Sequence, residues 1–138
     1  MTDPEIRNAS RSYVLDASAL LAFSHGEEGA GAGEVGPLLG SSVISCVNWA
    51  EVLQRVVSAG LEVRGKREDM ESLGLQIRDF TAEDAESTAQ LWPIGRPAGL
   101  SMGDRACLSL AQRLGLPAVT ADRIWATLDL DVEVRLIC

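Results

Sequence analysis

Tyr13-Val14-Leu15-Asp16-Ala17-Ser18-Ala19-Leu20-Leu21-Ala22 is the stretch on which the fold turns. Tyr13, Val14 and Leu15 form a short apolar run that reads as a buried strand. The run ends on an acid, and residues 17–23 then have helical character. A strand that passes into a helix in this way opens an α/β unit. The pattern repeats downstream. Residues 42–45 (Ser-Val-Ile-Ser) form a second strand, and residues 47–59 an amphipathic helix. On that helix Trp49, Val52, Leu53, Val56 and Val57 are expected on one face, and Asn48, Glu51 and Arg55 on the other. Gly60 is suited to end it.

The glycine-rich stretch 26–36 leaves room for a short second helix that runs into Pro37-Leu38-Leu39. Residues 64–75 are polar and helix-prone, and residues 76–80 read as a strand. Thr81 and Asp84 have the spacing of a capping box for a helix that reaches about Trp92. Residues 93–99 are rich in Pro and Gly and read as a loop. The strongest helix covers 101–114, capped by Ser101 with Asp104 and stopped by Gly115 and Pro117. A strand at 117–120, a short helix at 122–128 and a last strand at 132–137 complete the alternation. These elements predict a three-layer α/β/α fold around a mostly parallel sheet. Ligands in such folds bind beyond the carboxyl ends of the strands.

The chain has 138 residues, enough for one domain, and 46% of them are hydrophobic, enough for a core. The expected division is a loose tail at 1–11 and a single domain at 12–138. The net charge of -8 argues against holding nucleic acid through a broad basic surface. It leaves room for an acidic site that meets phosphates through cations. Lys66 is the single lysine, so positive charge is almost all arginine. Cys46, Cys107 and Cys138 lie in no CxxC pattern, which disfavours a zinc site; Cys46 and Cys107 read as buried small hydrophobes. No leader-like apolar stretch opens the chain, and no run nears the ~20 residues that span a bilayer. The expectation is a soluble, cytoplasmic protein.

Four acids stand at positions that converge in this scheme. Asp16 and Asp122 each follow a strand and precede a helix; Asp104 lies in a first helical turn; Glu51 lies near the start of its helix. Each also has a local explanation. Asp16 and Asp122 can cap helices, Asp104 can serve only its capping box, and Glu51 can pair with Arg55. Together, at one sheet edge, four carboxylates repel one another, and a hard divalent cation relieves that repulsion. Such an ion, Mg2+, activates water for attack on a phosphodiester. Ser18 and Thr120, two residues from Asp16 and Asp122, are placed to orient a carboxylate.

Four blocks carry a family resemblance: the opening stretch, Val47-Asn48-Trp49-Ala50-Glu51-Val52, Leu100-Ser101-Met102-Gly103-Asp104-Arg105-Ala106-Cys107-Leu108, and Val119-Thr120-Ala121-Asp122-Arg123-Ile124-Trp125. In this order they resemble PIN domains, over roughly residues 12–137, and in compactness the VapC-type toxins of bacterial toxin–antitoxin pairs. The resemblance implies an endoribonuclease dependent on Mg2+ or Mn2+. It implies that Asp16, Glu51, Asp104 and Asp122 hold the metal. It also implies RNA as substrate, a cognate antitoxin and a homodimer. The glycine-rich stretch at 26–36 departs from the family pattern.

Other residues have plainer readings. His25, the one histidine, sits in a polar turn. Trp49 and Trp125 read as core, the latter as a buttress for the Asp122 loop, while Trp92 is ambiguous. Arg55, Arg105 and Arg123 neighbour three of the acids in sequence, either to meet phosphate or to balance charge. Two alternatives remain: an inactive PIN-like interaction module, and a phosphatase with Asp16 as nucleophile. The second needs a lysine near the phosphoryl group, and Lys66 lies far from any strand end.

Overall fold

The computed structural model describes residues 12–24 and 30–137. The tail at 1–11, His25 and Cys138 lie outside them. Strands β1 (Tyr13–Leu15), β2 (Ser42–Ser45), β3 (Gln76–Arg78), β4 (Ala118–Thr120) and β5 (Val134–Leu136) form one sheet in the order β3-β2-β1-β4-β5. Every pairing is parallel, with Leu15 opposite Ile44 on one side and Val119 on the other. The order reverses at β1 and β4. Chain order runs outward through β2 and β3, then restarts on the other side of β1. A crevice therefore opens at the carboxyl ends of β1 and β4, the usual ligand position in open α/β sheets.

Alternating residues of each strand feed two cores. Leu15, Ile44 and Val119 face one layer, with α1 (Ala17–Ser24), α2 (Ala30–Val35) and α3 (Cys46–Ser58) supplying Leu20, Val35, Trp49 and Val52. Val14, Val43 and Ala118 face the other, where α7 (Met102–Leu114) supplies Cys107, Leu108, Leu110 and Ala111. Helix α5 (Ala82–Gln90) packs on α7, with the short α4 (Lys66–Ser72) between β2's helix and β3 in the chain. The fold is thus the expected three layers. Trp125, in the 3-10 turn Arg123–Thr127, is fully buried in the second core.

Both expected capping boxes form, at Thr81 with Asp84 and at Ser101 with Asp104. Asp84 does more than cap. It is buried, and Arg113 on α7 grips it through Nε at 2.7 Å and a terminal nitrogen at 3.2 Å. Burial raises the Asp84 pKa, but the bonds from Arg113 and Thr81 outweigh it and hold the carboxyl below its usual range. Arg113→Ala leaves that carboxylate without its charged donors. The expected cost is about 2 kcal/mol, read by urea denaturation, as for hydrogen bonds to charged groups.

Four local expectations are corrected. Residues 93–99 are not all loop: Trp92–Gly95 make one helical turn, α6, with Pro93 in the first turn, where no amide partner is lost. Val57 is not on a buried face; it is 60% exposed, beyond the edge of the core. Asn48 is not on a solvated face, because the start of α3 is covered by α7 and Asn48 is only 1% exposed. Cys107 is buried as expected, whereas Cys46 is only partly so.

Candidate metal centre

Asp16 ends β1 and is 4% exposed. Its Oδ1 accepts from Ser18 Oγ at 2.7 Å and from the Ala19 amide at 2.8 Å; its Oδ2 accepts from Thr120 Oγ1 at 2.5 Å. Both hydroxyls are themselves fixed. Ser18 Oγ accepts the Ala121 amide at 3.0 Å, and Thr120 Oγ1 accepts the Asp122 amide at 3.0 Å. Two hydroxyls thus stitch the turn after β4 to the carboxylate after β1. Thr120 serves Asp16 across the strands, although it stands nearer Asp122 in sequence. A carboxylate has about four acceptor positions. Three are taken on Asp16, and the remaining one is on Oδ2.

Asp104 and Asp122 keep their capping roles, and each of the other three acids retains a second oxygen. Asp104 Oδ2 accepts the Ser101 amide at 2.9 Å, and Asp122 Oδ1 accepts the Ile124 amide at 3.1 Å. Glu51 Oε1 accepts from Asn48 Nδ2 at 2.9 Å rather than pairing with Arg55. Capping by Asp104 and Asp122 therefore does not compete with ligation: one oxygen of each of the three acids is engaged, and the other stays without a hydrogen bond among the described residues.

All four carboxylates line one open cavity of about 400 Å3, with Ala17, Ser18, Leu21 and Ala121. Among the described residues, no basic side chain lines it. Burial pushes the Asp16 carboxyl up from 3.8 to about 6, against the pull of its three hydrogen bonds, and the Asp104 charge adds to the rise. The arginines of the described residues lie outside this lining. Arg105 is buried and donates to the Thr88 carbonyl, while Arg55 and Lys66 line a separate apolar groove. Asp129 and Asp131 do not line the cavity.

Lysine is thus absent from the lining, which removes support for Asp16 as a phosphoryl nucleophile. A group of four hard oxygen donors without a balancing cation suits Mg2+ or Mn2+. Among the described residues no three acidic, His or Cys side chains form a ready-made cage.

The PIN domain family model matches residues 13–130. The chain belongs to the PIN domain family. No curated protein sequence matches it. Solved structures similar to this PIN domain include Mycobacterium tuberculosis VapC20, a sarcin–ricin loop cleaving toxin, at 16% identity and TM-score 0.66, covering 84% of this chain and 95% of that one. The DNA-bound VapBC of Salmonella typhimurium is similar at 19% identity and TM-score 0.64, covering 92% and 98%. VapBC2 of Rickettsia felis, bound to a promoter fragment, is similar at 16% and 0.64, covering 91% and 98%. At these identities the likeness is one of fold.

Sequence reasoning about this PIN domain missed two residues at the site. By periodicity Asn48 belongs to a polar face, and Gly103 is only one residue of the third block. The i, i+3 spacing of Asn48 and Glu51 was the available signal for the first. Nothing local marked the second, which matters through a contact between α3 and α7.

Proposed function

We propose that this PIN domain is a divalent-metal-dependent endoribonuclease, the toxin half of a toxin–antitoxin pair. The observation that carries the reading is the cavity at the β1/β4 switch point, lined by four carboxylates and, among the described residues, by no basic side chain. Asp16, Glu51, Asp104 and Asp122 would hold the ion, Mg2+ or Mn2+. The bound ion supplies Lewis acidity and lowers the pKa of water at neutral pH. The chain's own residues do the rest. Ser18 and Thr120 fix the Asp16 carboxylate and leave its one open acceptor position on Oδ2. Asp122, exposed at the rim, stands where a substrate backbone would approach. Leu21 and Ala17 give the cavity an apolar side.

RNA as the substrate is supported by the fold likeness to VapC20, which is a sarcin–ricin loop cleaving toxin. An antitoxin partner is supported by the likeness to VapBC assemblies and by a second cavity of about 410 Å3. Trp49, Val52, Leu53, Val56 and Met70 line it, and Leu21 lines both cavities, so an apolar segment seated there would border the acids. Contact with DNA would belong to the partner, since this chain carries a net charge of -8. Exposed Trp92, Ile94 and Met102 on α6 and α7 support self-association as a homodimer. No helix among the described residues is long and apolar enough to cross a membrane.

The test is cleavage of single-stranded RNA and of DNA of the same sequence, with chelator and then with added Mg2+ or Mn2+. Internal cuts in RNA that disappear with chelator and return with metal are expected. Intact RNA under every metal condition would favour the inactive interaction module.

A further inference from the structure

Glu51 belongs to α3 and Asp104 to α7, and two residues bring those helices into register at the acids. Asn48 is almost wholly buried one turn before Glu51. Its Nδ2 donates to Glu51 Oε1 at 2.9 Å and to the Gly103 carbonyl at 2.9 Å. Both amide hydrogens are therefore used, and two acceptors fix which way the amide faces. Its Oδ1 is buried with no partner. An unpaired buried acceptor is unfavourable, so this amide is poorly explained as a device for stability alone.

Gly103 supplies the other half. A Cβ at this position would stand 2.5 Å from both Glu51 carboxylate oxygens and 2.6 Å from Cδ. The Gly103 backbone is ordinary helix and is not among the positive-φ glycines. The glycine is thus required by the close approach of a carboxylate, not by an unusual backbone angle. Alanine would fit the helix and would push the flexible end of Glu51 away.

We propose that Asn48 and Gly103 form a seat for the Glu51 carboxylate. They are positioning residues that hold it at the cavity against the charges of Asp16 and Asp104, and thereby set divalent-cation affinity. This rests on the metal reading above. Residues that orient metal ligands typically change affinity by about 10–100-fold when lost. The seat acts only through Glu51, so its effect must vanish when Glu51 no longer ligates.

The experiment is Mn2+ titration of the full chain, read by the loss of the free-ion electron paramagnetic resonance signal, alongside thermal melts without metal. Asn48→Ala and Gly103→Ala are each expected to raise the Mn2+ Kd by about 10-fold or more. Gly103→Ala is expected to melt no lower than wild type, because alanine favours helix over glycine. Asn48→Ala added to Glu51→Gln should weaken binding no further than Glu51→Gln alone. Unchanged Kd in both single variants would overturn the seat. So would an equal loss from Asn48→Ala with and without Glu51, which would mark a structural role. If Asn48→Ala does not fold, Gly103→Ala decides: weaker Mn2+ binding at undiminished melting temperature supports the seat, and wild-type binding overturns it. Absence of Mn2+ binding by the wild type would overturn the metal reading and the seat with it.

Discussion

Asp16→Asn is expected to lower metal-dependent RNA cleavage by at least about 100-fold, beyond what the loss of an orienting residue usually costs. Asparagine keeps the size of the side chain and an oxygen acceptor. It loses the charge that would bind a cation at the centre of the cavity. It also places an amide nitrogen against one of two hydroxyl groups that now donate to Asp16. Both hydroxyls can rotate, so the fold has a way to adapt. Circular dichroism and gel filtration should match wild type while cleavage is lost. Cleavage at wild-type rate by the variant would remove Asp16 from the reaction.

The second large effect links pH, metal and stability. Asp16 has an ordinary carboxyl pKa of 3.8, and burial raises it to about 6 in the folded chain. The unfolded chain gives up this proton more readily. The associated stability is therefore full below pH 4 and is lost as pH rises through about 6. Across the whole interval the difference corresponds to about 3 kcal/mol, and roughly half of it falls between pH 5 and 7.5. Asp84, whose pKa is lowered, acts in the opposite direction but below this window. The wild type in chelator should melt a few degrees lower at pH 7.5 than at pH 5. Asp16→Asn should flatten that difference. Mg2+ at about 100 times its Kd should restore about 2.7 kcal/mol at pH 7.5, and much less at pH 5, where Asp16 holds its proton. A wild-type melting temperature that rises from pH 5 to 7.5 in chelator would contradict the buried, uncompensated Asp16.

Much of this was legible in the chain because it is local. Asp16 and Asp122 are recognisable as strand-to-helix junctions, and Ser101 with Asp104 as a capping box, from spacing alone. Trp125 was legible as core. The sheet order β3-β2-β1-β4-β5 was not, because strand neighbours in a parallel sheet are set by packing over long separations. Helical periodicity says which residues share a face, not which face a neighbour covers. Asn48 therefore looked solvated until α7 was placed over it, 55 residues away at Gly103. Arg105 failed for the same reason: beside Asp104 in sequence, it points into the α5–α7 contact and bonds Thr88. Thr120 was legible as a hydroxyl placed to orient a carboxylate, but which carboxylate was not, since its bond to Asp16 spans 104 residues.

The central claim is that four carboxylates share a divalent ion, and a crystal of the full chain grown or soaked with Mn2+ tests it most directly through anomalous scattering. The expected result is a peak in the cavity between Asp16, Glu51, Asp104 and Asp122, within about 2.0–2.4 Å of at least two carboxylate oxygens and otherwise ringed by waters. A cavity free of anomalous density at saturating Mn2+, or an ion bound only elsewhere on the surface, would contradict it.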